Sequence, residues 1–250
     1  MKRVIIVQAR MGSTRLPGKV LMDLAGRPML AQQLSRLKKC QLADDIIVAT
    51  TKSAEDRPIV GLARQECVGC FRGSEQDVLS RYVGAAMNSH ADVVVRITAD
   101  CPLVDPEITD KVISELIDHR TDCDYASNVL RRTFPRGLDV EAMFIDTLRR
   151  MDRLSQSKPA REHVTIFLRS ERPDLFITRS VEDQENNANL RWTVDTEQDL
   201  KFVRLLYESL SLQDGLVPYA DLLSFVRSRH NLIHLDGIDK TWDPIHRKVS

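Results

Sequence analysis

Short apolar runs that do not alternate with polar residues recur along the first half of this chain. Val4 to Val7, Ile46 to Ala49 and Val93 to Val95 are each strand-length and continuous, the pattern of strands covered on both faces. Between them lie segments of helical period. Leu30, Leu34 and Leu37 share one face after Pro28, which suits a first helical position. Val78, Leu79, Tyr82, Val83 and Ala86 do the same after a capping-box pattern at Ser74 and Asp77, and Ile108, Val112, Ile113 and Leu116 follow Pro106. Strands alternating with helices of this length build βαβ units, so the expected fold is α/β, with a mostly parallel sheet and helices on both faces.

Beyond residue 120 the pattern is less regular. "CDYASNV", "GLDVEAMF" and Leu190 to Val194 read as strands, and Leu200, Val203, Leu206 and Leu210 form one face of a helix whose capping box is Thr196 and Asp199. With no Gly/Ser linker, repeat or low-complexity tract, one domain over residues 1–250 is expected, irregular at about 120–190. The tail after His230 reads as a packed arm.

Composition excludes several classes of function. With 36 basic and 36 acidic residues the formal net charge is zero, which removes the broad positive field expected of a nucleic-acid or membrane-surface binder. No run approaches the roughly 20 apolar residues of a membrane span, and Arg10 and Arg15 interrupt any leader-like segment. A cytoplasmic protein is expected. Five dispersed cysteines do not suggest a disulfide framework, and the CxxC of Cys67 and Cys70 lacks a second pair of zinc ligands, so these read as core thiols.

The first run opens into "VIIVQARMGSTRLPGKVL". Strand, glycine-bearing loop and helix in succession form a common anion site, because backbone N–H groups and a helix N-terminus present their positive ends together. Counting excludes two familiar versions: five residues rather than four separate Gly12 from Gly18, Val20 follows Lys19, and there is no GxGxxG. What remains is a loop with Arg10, Arg15 and Lys19 as cations and Ser13 and Thr14 as hydroxyl donors, enough to neutralise a triphosphate. Asp100 follows the strand Val93 to Ile97, and Asp195 follows the expected strand Leu190 to Val194. If both strands run parallel to the first, both carboxylates face the basic loop. Alone, each reads equally as a turn residue or a helix-terminal charge; together they suggest Mg²⁺ beside phosphate.

Six ordered segments, "QARMGSTRLPGKVL", "RGSEQDVLSRY", "RITADCPLVDP", "FPRGLDVEAM", "REHVT" and "RWTVDTEQDL", resemble the spore-coat polysaccharide cytidylyltransferase-like family, related to the CMP-sugar synthetases that activate 3-deoxy-manno-octulosonate and sialic acids. The resemblance implies a Rossmann-like nucleotidyltransferase fold, a homodimer, and a Mg²⁺-dependent reaction of CTP with a small acceptor such as a sugar acid. Arg10, Lys19, Asp100 and Asp195 would be catalytic, with Asp100 and Asp195 as metal ligands. Ala9, Arg10, Ser13, Arg15, Lys19, Arg72, Ser74 and Asp77 would bind the nucleotide, with Arg81 nearby. The irregular second half would supply acceptor and dimer contacts.

Arg136, Asp139 and Glu141 in "PRGLDVEA", with Arg161, Glu162 and His163 in "REHV", combine charges suited to the carboxylate and hydroxyls of a sugar acid. "REHV" reads equally as a helix start with an internal ion pair. The relatives acting on octulosonate carry glycine before the metal-binding aspartate where this chain has Ala99, which leaves the acceptor open. Two rival readings remain: a nucleotide-sugar glycosyltransferase, for which "DCD" at Asp122 to Asp124 is a formal DxD, and a non-catalytic nucleotide-binding module.

Overall fold

The computed structural model describes residues 1–229, so the expected C-terminal arm lies outside the described residues. A seven-stranded sheet runs in the order β5 (Gly69–Gly73), β4 (Asp45–Thr51), β1 (Arg3–Gln8), β6 (Val93–Thr98), β8 (Glu141–Phe144), β7 (Tyr125–Ser127), β9 (Thr178–Ser180). All pairings are parallel except those of β8 with its two neighbours. The three continuous apolar runs are the centre of this sheet, and Val4 to Val7 are completely buried.

Two apolar layers explain why those runs do not alternate. Ile5 and Val7 pack towards α1 (Met29–Leu37), α2 (Arg57–Gln65) and α4 (Pro106–Asp118), whereas Val4 and Ile6 pack towards α3 (Val78–Asn88), α5 (Ile145–Leu154) and α6 (Lys158–His163). A third cluster joins α7 (Glu197–Leu210) and α8 (Tyr219–Arg227) to Trp192, Phe134 and the small hairpin β2 (Asp23–Leu24) and β3 (Arg27–Pro28).

Helix starts follow the sequence with local corrections. Asp105 caps α4 ahead of Pro106, and Thr196 with Asp199 forms the expected box on α7. Pro28 is not the first helical residue: its extended backbone ends β3, and α1 starts at Met29. Ser74 and Asp77 do not form a capping box either. The Ser74 hydroxyl accepts from Asp77 N–H at 3.0 Å, and Asp77 itself caps α3 by accepting from Ser80 N–H at 2.9 Å. A turn therefore precedes the helix, which starts three residues later than a Ser74 cap would place it.

The largest correction concerns Leu190 to Val194, which is not a strand of the sheet. It is an extended segment held by one parallel bridge between Arg136 and Arg191, with Arg136 N–H donating to Leu190 O and Trp192 N–H to Arg136 O. Leu190, Trp192 and Val194 are buried while Arg191 and Thr193 between them are half-buried, so this segment lies on an outer layer. Gly137 permits the contact: its φ is +102°, and a Cβ there would sit 2.5 Å from the Trp192 carbonyl carbon.

Candidate active site

β1, β4, β5 and β6 deliver their carboxyl ends to one edge, where open α/β sheets bind ligands. The loop leaving β1 is closed on Met11, whose carbonyl accepts from both Ser13 N–H and Gly18 N–H at 2.9 Å. Gly18, at φ +72°, then turns the chain into a short 3₁₀ helix (Lys19–Leu21), and this presents the Lys19 side chain across the sheet edge. Its Nζ lies 2.8 Å from Asp195 Oδ1, 3.6 Å from Asp100 Oδ2 and 2.7 Å from the Val194 carbonyl.

The two aspartates thus meet as expected, although Asp195 arrives without a strand. Val194 N–H and the Thr193 hydroxyl both donate to the Asp100 carbonyl, at 2.8 and 3.2 Å, which splices the incoming segment onto the end of β6. Asp195 also pairs with Arg15 at 3.0 Å and Arg191 at 2.8 Å. Burial alone would raise its pKa, but Lys19, Arg191 and Arg15 outweigh that and hold it at about 2. The Asp100 carboxylate accepts from the Thr98 hydroxyl at 2.5 Å. Two carboxylates that reach one ammonium can share one small cation, and hard oxygen donors suit Mg²⁺. No cluster of three or more acidic, His or Cys side chains spaced for a metal occurs among the described residues, so a metal here would take its remaining ligands from substrate and water.

The other sequence-selected residues fall into two groups. Arg10 is exposed and, with Gln8, Ala9, Val78, Arg81, Glu162 and His163, lines a cavity of about 160 Å³ at the end of β1. Arg81 is 2% exposed, and its Nη1 donates to Ser74 O. His163 enters through a tight turn: Val164 adopts φ +59° and ψ −65°, and Thr165 N–H donates to His163 O at 2.6 Å, a strained γ-turn for a β-branched residue.

Side chains in the second group are engaged by the protein itself. Arg72 donates to the carbonyls of Thr51 and Ser53, and the Ser13 hydroxyl accepts from Leu16 N–H at 3.5 Å within its loop. Asp139 takes a two-pronged contact from Arg132 at 2.6 and 2.8 Å. Glu141 is buried among Arg96, Tyr125, Thr165 and Arg169; burial would raise its pKa, but Arg96 and Arg169 hold it below its ordinary value. Arg136 joins the backbone bridge described above. "REHV" ends α6 rather than starting it, and Arg161 pairs outside its helix, with Asp77 and with Asp152. Asp122 and Asp124 enter β7 at the opposite edge of the sheet, where they pair with Arg179 and Arg150, so the DxD is not near the loop.

One residue escaped the sequence reading. Asp56, 2% exposed, accepts from Met11 N–H at 2.7 Å and from Thr51 N–H at 3.1 Å and its hydroxyl. In "SAEDRP" it looks like an ordinary helix start, and its partner Met11 is 45 residues away.

The sheet that brings a basic loop and a carboxylate pair to one edge is the fold of solved nucleotidyltransferase structures. The cytidylyltransferase family profile matches residues 4–213, and the chain belongs to that family. It is similar to the spore coat polysaccharide biosynthesis protein SpsF of Bacillus subtilis, 32% identical over 82% of this chain and 86% of the relative. Among solved structures, a cytidylyltransferase from Leptospira borgpetersenii superposes with a TM-score of 0.88 at 31% identity, covering 93% of this chain and 97% of that one. A CMP:2-keto-3-deoxy-manno-octonic acid synthetase complexed with CTP shares the fold alone, with a TM-score of 0.64 at 20% identity over 84% of this chain and 99% of its own.

Proposed function

We propose that this chain transfers CMP from CTP to a sugar acid or related acceptor in the making of a surface polysaccharide or glycan. An acceptor oxygen attacks the α-phosphorus in line, the bond between the α- and β-phosphates breaks, pyrophosphate leaves and the acceptor loses its proton. The observation that carries this reading is the Lys19 ammonium, which spans Asp100 and Asp195 at the mouth of the basic loop. Family membership supplies the nucleotide, and the spore coat relative supports the polysaccharide context.

Within this reading Arg10, Arg15 and Lys19 hold the triphosphate and offset charge on the departing pyrophosphate. Asp100 and Asp195 would hold Mg²⁺, which when bound polarises phosphate oxygens and stabilises their developing charge. The cavity lined by Arg10, Arg81 and His163 opens beside the loop and offers donors to a bound ligand. The second half contributes acceptor contacts through His163 and, in a homodimer, subunit contacts.

Thermal unfolding with CTP, UTP, ATP, GTP and a UDP-sugar, each with Mg²⁺ or with chelator, tests the reading without knowledge of the acceptor. A ligand at about 100 times its Kd adds about 2.7 kcal/mol, and a domain of this size shifts by roughly 2–4 °C per kcal/mol. A CTP-selective shift that needs Mg²⁺ is expected, followed by pyrophosphate release in a screen of sugar acids. A shift with UDP-sugar alone would instead indicate glycosyl transfer.

A further inference from the structure

Asp56 stands immediately before α2, where an aspartate ordinarily turns its carboxylate back onto its own helix's free N–H groups. It makes no such cap contact. Both oxygens point the other way: Oδ1 takes the Met11 N–H, and Oδ2 takes the N–H and hydroxyl of Thr51 at the end of β4. The receiving turn is itself braced from β5, since Arg72 donates to the carbonyls of Thr51 and Ser53 at 2.9 and 2.7 Å. A buried carboxylate at a helix start is thus spent on a loop from a different part of the chain.

Met11 is the residue on which that loop closes. Its carbonyl receives Ser13 N–H and Gly18 N–H, and Gly18 leads directly into Lys19, which reaches Asp100 and Asp195. Holding Met11 by its N–H therefore steadies the residue whose carbonyl ties the start of the loop to its end, and with them the place of the Lys19 ammonium. Arg10, one residue before Met11, is set by the same anchor. Preorganised donors are worth more than mobile ones because no ordering cost remains when the ligand binds.

The geometry points to Asp56 as a positioning residue for the nucleotide: without touching it, the Asp56 carboxylate holds the 10–19 loop in its phosphate-receiving shape through Met11. This rests on the CTP reading above.

The test measures two things on the whole protein, amide hydrogen exchange without ligand and CTP affinity by calorimetry with Mg²⁺. Asp56→Asn keeps the side-chain shape but replaces one accepting oxygen with a donor that opposes the N–H groups it faces. Exchange at Met11, Ser13 and Gly18 should rise about tenfold while β1 and β6 stay protected, and CTP Kd should rise about tenfold. Asp56→Ser, whose hydroxyl is one bond shorter, should give the same local loosening and serves if the Asn variant fails to fold. Exchange that rises across the whole sheet, or a loop that loosens with CTP affinity unchanged, overturns the proposal. A wild-type protein that does not bind CTP overturns the proposed function instead, and the exchange measurement separates the two.

Discussion

The backbone N–H of Val194 donates to the carbonyl oxygen of Asp100 at 2.8 Å, joining positions 94 residues apart. This bond, with the Thr193 hydroxyl on the same carbonyl, brings the two carboxylates together, Asp195 being the residue after Val194. Replacing either side chain leaves this splice intact. Asp100→Asn should therefore fold normally and lose turnover by about 10²–10³, as removal of a preorganised charged group commonly does. Pyrophosphate release and the unfolding midpoint, measured together, check both halves of the expectation.

Lys19 pairs with two carboxylates at once. Lys19→Met should leave Asp100 and Asp195 facing each other without a shared cation, and the loss of a hydrogen-bonded ion pair should cost about 1–3 kcal/mol. If these carboxylates hold Mg²⁺ as proposed, a divalent ion would take the place of the ammonium. Added Mg²⁺ should thus raise the unfolding midpoint of the variant more than that of the wild type, and equal shifts would contradict shared coordination.

Acid should expose the contribution of Asp195. Its pKa of about 2 in the fold lies below the ordinary carboxylate value of 3.8. A depressed pKa means stability that is fully present above the unfolded value and is lost as pH falls through the folded one. The shift corresponds to about 2 kcal/mol. The stability gap between wild type and Asp195→Asn, measured by urea unfolding, should be constant from pH 7 to 5 and close towards pH 2.

Gly137 should tolerate no side chain. An added Cβ would lie 2.5 Å from the Trp192 carbonyl carbon and 2.6 Å from Thr193 N, and both atoms are backbone. The positive φ adds strain of about 1–3 kcal/mol for an L-residue. Gly137→Ala should destabilise the protein by at least about 2 kcal/mol in urea titration. CTP affinity should fall with it, because the displaced segment carries Asp195.

The cysteines should react in order of access. Cys67 is exposed, whereas burial pushes the Cys40 thiol up to about 12, and Cys101 and Cys123 are buried. Intact mass after brief alkylation at pH 8 should show Cys67 modified first, with Cys101 and Cys123 modified only after unfolding.

The central sheet was legible because continuous burial and helical period leave separate marks in a sequence. Asp100 followed from the rule that parallel strands share a carboxyl edge. Asp195 reaches the loop without the expected strand: "LRWTV" alternates, and alternation signals one covered face, which is what an outer-layer segment has. Arg72 and Asp56 were illegible for a different reason. A cation near the expected nucleotide and an aspartate before a helix each have an obvious local use, and nothing in their neighbours reveals that Arg72 braces a turn or that Asp56 reaches Met11. Glu141 shows the same limit, since only the fold brings Arg96, Tyr125, Thr165 and Arg169 around it.

The splice between Val194 and Asp100 also orders events in time. As the chain is synthesised from its N-terminus, β1, β4, β5 and β6 can pair and their helices can cover them while residue 195 has yet to emerge. Such a fragment carries the basic loop and only one of the two carboxylates. The second carboxylate therefore joins the basic loop only after the segment that carries Val194 and Asp195 has been made and has docked on Asp100.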